Sequence, residues 1–211
     1  MTCFELALFI KELLITSSAL AGVVVAIYGL TAWKKQLKGK VEYDLARRIL
    51  ITLYKYRDAI AVVRNPAIWS NEFKELPESI NKNLTEEQIR FERLNGVYEA
   101  RWAKVQIEKA ALYADLIESE ATWGLDLNEL FKKVFKLEQQ LLQGIRAFLS
   151  TQNPDENSVI KELAEENIRK DRWILHARIS EADTFEHNLV EAISEIEAYL
   201  KPHIWTVKNT K

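Results

Sequence analysis

The chain has 211 residues, of which 48% are hydrophobic and 28% are charged, so it can build one domain of ordinary size and is not disordered overall. Its 29 basic and 31 acidic residues give a formal net charge of −2, which excludes a global field favouring DNA or RNA. The one cysteine, Cys3, excludes an intrachain disulfide and a cysteine-based zinc site.

An uncharged apolar run occupies residues 13–33 (LLITSSALAGVVVAIYGLTAW). As a helix it is roughly 30 Å long, which matches the hydrocarbon core of a bilayer. A buried core helix of this length would show a polar stripe, and a cleaved signal peptide would begin with basic residues rather than with Glu5, Lys11 and Glu12. We therefore predict a transmembrane helix over 13–33, preceded by a short outer tail, 1–12.

Basic residues follow this run within the segment 34–40. They are Lys34, Lys35, Lys38 and Lys40. Because positive charge is retained on the cytoplasmic side, the pattern predicts an external N-terminus and a cytoplasmic body in a bacterial inner (plasma) membrane. Tyr28 and Trp33 lie near the basic end, where aromatic side chains favour the membrane interface. Membrane lipid is thus the first expected partner, and no nucleic acid is expected.

Small residues recur every four positions in the run, at Ser18, Gly22 and Ala26. Small side chains at this spacing allow two membrane helices to approach closely, so they predict an oligomerisation face and a homo-oligomer. The alternative is that the three residues reflect only the ordinary composition of membrane helices.

The first two helices of the body are marked by their ends. Residues 41–64 present one apolar face and stop at Asn65-Pro66, because the residue before a proline avoids the helical conformation. Gly39 is the one helix-breaking residue between the apolar run and residues 41–64, so the sequence also allows a single continuous helix through both segments. Residues 65–84 are predicted to form a loop. A capping box over Thr85–Gln88 starts the next helix, which ends at Gly124.

Three more helices follow, giving an all-α body of about five helices over 41–205 and a tail at 206–211. Asp126 is predicted to cap the first, Asn153-Pro154 to open the second, and Asp183 to open the last, which Lys201-Pro202 closes. Residues 168–182 are assigned to helix because no strand partner exists. Five residues of the first helix have coiled-coil-like spacing, which indicates either antiparallel bundle packing or self-association: Leu127, Leu130, Val134, Leu137 and Leu141.

The catalytic signals in the sequence are few. The glycines are too dispersed for a phosphate-binding loop, and the three histidines fit neither HExxH nor a helical di-iron site, so no cofactor and no metal are expected. Arg169, Arg172 and His176 resemble the arginine–histidine motif of HEPN-type ribonucleases, which have all-α folds. Lys170 departs from the polar residue that usually follows the arginine. The alternative is an amphipathic helix end with surface arginines.

Three stretches carry a wider resemblance: AWKKQLKGKVEYDLARRILITLYKYRDAIAVVRNP, YEARWAKVQIEKA and AISEIEAYLKPHI. They resemble a family of uncharacterised bacterial proteins with one N-terminal transmembrane helix and a helical body, which implies that architecture and no particular activity. The plan is also similar to the membrane accessory protein of type VI-B CRISPR systems, which implies assembly into a membrane pore.

These observations lead to three functional hypotheses. The first is a single-pass, membrane-anchored helical interaction or oligomerisation protein of unknown biochemical activity, with a possible protein partner. The alternative is a membrane-acting, pore-forming effector or accessory protein in anti-phage defence. The second alternative is a HEPN-like ribonuclease that uses Arg169 or Arg172 with His176.

Overall fold

The computed structural model describes residues 3–73, 75, 77, 83–170, 174, 175, 177 and 183–205, and these residues form α-helices and no strand. The all-α prediction is confirmed. The helices are α1 (Cys3–Arg64), α2 (Glu86–Trp123), α3 (Asp126–Gln152), α4 (Ser158–Lys170) and α5 (Thr184–Trp205), with a short 3₁₀ turn at Ser70–Glu72. The chain divides into a first unit, Met1–Asp44 with His203–Lys211, and a second unit, Leu45–Pro202.

The first unit contains the apolar run. Near the N-terminus α1 is long and apolar enough to cross a membrane, and none of its apolar window is buried. All side chains from Leu14 to Lys38 are exposed. The hydroxyls of Ser17 and Ser18 donate to carbonyls one turn back in the same helix, at 3.1 and 2.9 Å. Helix α1 passes through Gly39 without a break, which settles the alternative left open by the sequence.

The second unit has a core built from the apolar faces of its long helices. The face predicted for residues 41–64 is confirmed, since Leu45, Ile49, Leu53, Tyr56, Ile60 and Val63 are at most 1% exposed. In α3, Leu127, Val134 and Leu141 are also fully buried. Three of the five residues of the coiled-coil-like spacing therefore pack within the chain, and the other two, Leu130 and Leu137, are half-buried.

Several predicted helix ends are confirmed. The Thr85 hydroxyl accepts from the Gln88 backbone N–H at 3.2 Å, and the Gln88 side chain accepts from the Thr85 N–H at 2.9 Å, which completes the capping box. At the other end of α2, Gly124 has a φ of 82°, which favours glycine. Asp183 caps α5, because its carboxylate accepts from the Glu186 N–H at 3.0 Å.

Two predicted helix starts are wrong. The residue that precedes α3 as its N-cap is Leu125, with no side-chain capping bond, and Asp126 is already helical. Helix α4 begins at Ser158 rather than at Asn153-Pro154. The Asn153 side chain accepts from the Asp155 N–H at 3.1 Å and stabilises a turn, whereas Asn157 accepts from the Val159 N–H at 2.8 Å and caps the helix.

Two other helical assignments also differ from the structure. Helix α4 ends at Lys170, and Ile174, Leu175 and Ala177 are not helical; the remaining residues of 171–182 lie outside the described residues. The backbone at 174 and 177 bonds to Arg64 instead of to its own neighbours. Helix α5 continues through Pro202 to Trp205, because a proline in the last turn removes a single N–H and leaves the following residues able to stay helical.

Candidate functional site

The predicted oligomerisation residues lie on the exposed apolar part of α1. Ser18, Gly22 and Ala26 are exposed, and a Cβ added at Gly22 would meet no atom within 4 Å. This face is therefore open to another helix. The hydroxyls of Ser17 and Ser18 on this segment bond within the helix.

The predicted interface residues follow on the same helix. Tyr28 is 73% exposed and Trp33 is 58% exposed. The basic residues Lys34, Lys35, Lys38 and Lys40 are exposed as well. One of them, Lys38, lies 3.7 Å from Glu42. An exposed aromatic and cationic segment directly after an apolar one is the order that a membrane–water interface requires.

Of the three predicted catalytic residues, the structure describes only Arg169. Arg172 and His176 lie outside the described residues. Arg169 is exposed in the last turn of α4 and lies 3.9 Å from Glu165, a surface pair one helical turn apart. The ribonuclease hypothesis therefore stays a prediction. Among the described residues searched, no group of three or more histidine, cysteine, aspartate or glutamate side chains is placed to hold a metal ion.

The side chain of Arg64, the last residue of α1, is fully buried. Its Nε donates to the carbonyl of Ile174 at 2.9 Å, and its Nη1 donates to Glu186 at 3.0 Å. Its Nη2 donates to both carboxylate oxygens of Asp183, at 2.8 and 2.9 Å. The guanidinium also lies 4.4 Å from the centre of the Phe185 ring. Every nitrogen of this arginine is thus used to fasten α5 and the preceding segment to the end of α1.

A second buried arginine, Arg101 of α2, holds the segment after α1. It donates to the carbonyls of Asn65 and Ala67, both at 2.7 Å, and to the Glu72 carboxylate at 2.6 and 2.9 Å. The hydrogen bond from Arg101, followed by one from the Trp69 backbone, lowers the pKa of Glu72 from 4.5 to about 2. This carboxylate therefore stays ionised throughout the physiological range.

A buried carboxylate, Glu138, joins α3 to α2. It lies 2.5 Å from Lys109 and accepts from the Gln106 side chain at 3.1 Å. Burial, and then the nearby charge of Glu138, raise the pKa of the Tyr56 hydroxyl, which keeps this phenol neutral. Like the clusters around the two arginines, this network forms its hydrogen bonds and ion pairs with other residues of the same chain. It therefore holds the helices together.

Sequence reasoning missed these three networks, although a signal for them exists. Each central residue is a charged side chain at a position in phase with the buried face of its helix. Arg64 follows Ile60 by four positions, Arg101 lies between Tyr98 and Val105, and Glu138 follows Val134 by four positions. A charged residue at a helix position that faces the core predicts a buried partner of opposite charge, because an unpaired charge in the core is strongly unfavourable.

A groove of about 490 Å³ lies between α3 and α4. Its volume falls within the range of small-molecule sites. It is lined mainly by apolar side chains, including Phe148, Ile160 and Leu163, and by two cations, Arg146 and Lys170. The described residues that line it include no carboxylate, histidine or cysteine. The lining therefore offers shape and positive charge and no pair of groups for acid–base chemistry.

Comparison of the chain with protein families, curated proteins and solved structures gives no match to any of them. The three resemblances seen in the sequence stay predictions. The basis for a functional proposal is the chemistry of the chain's own residues.

Proposed function

We propose that the chain is a single-pass protein of the bacterial plasma membrane, anchored by residues 13–33, whose helical body acts in protein–protein interaction and self-association. The observation that carries the proposal is the exposed apolar part of α1. Burying one large apolar side chain is worth about 1.5–3 kcal/mol, so a run of this length strongly favours a lipid environment over water. Its serine hydroxyls already bond within the helix, as an apolar solvent requires.

The direction of insertion is proposed from the charges beside the run. The exposed lysines of segment 34–40 would lie at the cytoplasmic surface, where each contributes about 1 kcal/mol of attraction to anionic headgroups. Tyr28 and Trp33 would then lie at the same interface. The second unit, Leu45–Pro202, belongs to the cytoplasmic side in this arrangement.

An interaction role for the body is supported by apolar side chains that its own core leaves exposed. Ile107 and Ile117 on α2 are 67% and 70% exposed, and Val159 and Leu163 on α4 are 62% and 56% exposed. Groups of exposed apolar side chains mark surfaces that contact other molecules. The networks around Arg64, Arg101 and Glu138, by contrast, bind other residues of the same chain.

Alkaline extraction of bacterial membranes tests the anchor. We expect the full chain to stay in the membrane pellet and a variant lacking residues 1–36 to appear in the soluble fraction with a helical circular dichroism spectrum. A matched full-length variant, Val24→Asp with Ile27→Asp, keeps the chain length and should shift toward the soluble fraction, because charges inside the bilayer are costly. Recovery of the wild-type chain in the soluble fraction would contradict the proposal.

A further inference from the structure

Helix α2 buries one face and leaves an apolar line on the opposite face exposed. Its core line, Tyr98, Val105, Leu112 and Ser119, recurs every seven residues, and each member is at most 3% exposed. On the other side lies a second line, which we call the α2 seam. All of its members are exposed, and they alternate in spacings of four and three: Ala103, Ile107, Ala110, Ala114, Ile117 and Ala121.

The neighbouring helices contact the flanks of the α2 seam and leave the seam itself uncovered. On one flank, Gln106 donates to Glu138 of α3 at 3.1 Å. On the other flank, Glu118 pairs with Arg48 of α1. The seam between these flanks carries the two most exposed isoleucines among the described residues, Ile117 at 70% and Ile107 at 67%.

The spacing of the α2 seam is that of a coiled coil, in which the first and fourth residues of each heptad face a partner helix. The isoleucines supply the large side chains that insert into a facing helix, and the alanines between them allow the two backbones to approach. We propose that a second copy of this chain packs its own α2 seam against this one in parallel orientation. The interface rests on the proposed function and supplies a self-association surface separate from Ser18, Gly22 and Ala26.

Charge complementarity favours a second copy in parallel orientation. In a parallel pair, the residue before the first position of a heptad faces the residue five places later on the other helix. Ala100 continues the seam spacing at such a first position, so Glu99 of one copy faces Lys104 of the second copy, and the two-fold symmetry repeats the pair. Both side chains are exposed, and the positive charge of Lys104 also helps to lower the pKa of Glu72. An antiparallel pair centred on the seam would place Lys104 against Glu118, which Arg48 already holds.

Single-cysteine cross-linking of the full chain in mild detergent tests the interface, in a Cys3→Ser background. Ala103→Cys, Ala110→Cys and Ala121→Cys should each give a covalent dimer under mild oxidation, because equivalent seam positions meet in a parallel pair. Gln139→Cys, at an exposed position of α3, is the control and should stay monomeric on a non-reducing gel. Cross-linking at position 110 alone would indicate an antiparallel pair and overturn the parallel arrangement. The absence of dimer at all three positions would overturn the interface.

Charge and apolar variants in the Ala110→Cys background supply the second measurement. Lys104→Glu should lower the cross-linked fraction several-fold, and adding Glu99→Lys should restore it. Ile107→Glu with Ile117→Glu should abolish the cross-link, whereas Val159→Glu, at an exposed position of α4, should leave it unchanged. An unaltered cross-link in the double-isoleucine variant would also overturn the interface. Membrane extraction of the same samples reports on the anchor, so failure of the seam and failure of the proposed function are distinguished.

Discussion

Arg64 and Asp183, 119 positions apart in the chain, form a buried ion pair in which one arginine nitrogen donates to both carboxylate oxygens. The same carboxylate accepts from the Glu186 N–H and so caps α5. The Asp183 carboxylate therefore neutralises the charge of Arg64 at the end of α1 and also caps the first turn of α5. Because both tasks use a single residue, the first turn of α5 depends on the arginine.

Removing this arginine should strongly destabilise the second unit. We expect Arg64→Ala to lower the free energy of unfolding by about 3–5 kcal/mol, because Asp183 would be left buried without its partner. Denaturant unfolding of the full chain in detergent, followed by tryptophan fluorescence, measures the change. Arg57→Ala is the control: Arg57 pairs with Asp58 at the surface, and its removal should change the same quantity by at most about 1 kcal/mol. Equal effects of the two variants would contradict the prediction.

The lowered pKa of Glu72 predicts a contribution to stability that depends on pH. The carboxylate is ionised more readily in the folded chain, so its contribution is present above pH 4.5 and is lost as the pH falls toward 2. At neutral pH, Glu72→Gln should lower the free energy of unfolding by about 1–2 kcal/mol. The difference from wild type should shrink as the pH falls through this window. Glu129→Gln, in an exposed surface pair with Lys132, is the control and should change the pH dependence little; a constant Glu72 effect from pH 7 to 2 would refute this account.

Two glycines of the second unit should respond to alanine with opposite signs. Gly124 has a φ of 82° and a ψ of −160°, a conformation that side chains avoid, so Gly124→Ala should destabilise the fold by about 1–3 kcal/mol. Gly96 lies inside α2, and an added Cβ there meets no atom within 4 Å. Gly96→Ala should therefore stabilise the fold by about 0.5–1 kcal/mol. Thermal unfolding by circular dichroism measures both, and a stabilising Gly124→Ala would be inconsistent with the strained turn.

The proposed topology predicts the behaviour of fusion proteins. In this topology, a reporter that is active only in the periplasm should stay silent when fused after Lys211, because the lysines of segment 34–40 would hold the body in the cytoplasm. A reporter that is active only in the cytoplasm should be active at the same position. Replacing the four lysines with glutamate should lower the fraction of correctly oriented chains. Strong periplasmic activity of the wild-type fusion would reverse the assigned orientation.

The small residues Ser18, Gly22 and Ala26 of the proposed membrane anchor predict a contact between copies of the chain. Gly22→Leu should weaken the homo-oligomer in mild detergent, because a large side chain separates the two helix backbones. Light scattering at several protein concentrations measures the mass. Leu20→Ile, which keeps the size of an exposed apolar residue on the same helix, is the control. A wild-type chain that is monomeric at every concentration would leave only a different protein as a partner for this face.

Local signals in the sequence predicted much of the fold. The capping box at Thr85, the glycine at the end of α2 and the aspartate before α5 each act within a few residues, so their effect is readable without tertiary structure. The apolar faces of α1 and α3 follow from periodicity for the same reason. The start of α4 was missed because Asn153 and Asn157 both suit a helix cap, and only the turn formed through Asp155 selects the second.

Contacts between residues far apart in the sequence determined the features of the fold that local sequence signals could not predict. The stretch after α4 has helical composition, but the backbone of Ile174 and Ala177 bonds to Arg64, and no local pattern shows which segment a buried arginine will contact. The same holds for the packing of α3, because the spacing alone does not show that Leu127, Val134 and Leu141 face the core. The exposed α2 seam was hidden in the sequence by its alanines, which carry a weaker apolar signal than the leucines of α3.

The long sequence separation of Arg64 and Asp183 has a consequence for biosynthesis. At roughly 5–20 residues per second, a ribosome needs about 6 to 24 s to synthesise the 119 residues that separate the two. During that interval the guanidinium at the end of α1 has none of its acidic partners, since Glu186 is made later still. The guanidinium at this end of α1 therefore stays hydrated until residues 183–186 have been synthesised, and the contact that joins α5 to α1 closes only after they emerge.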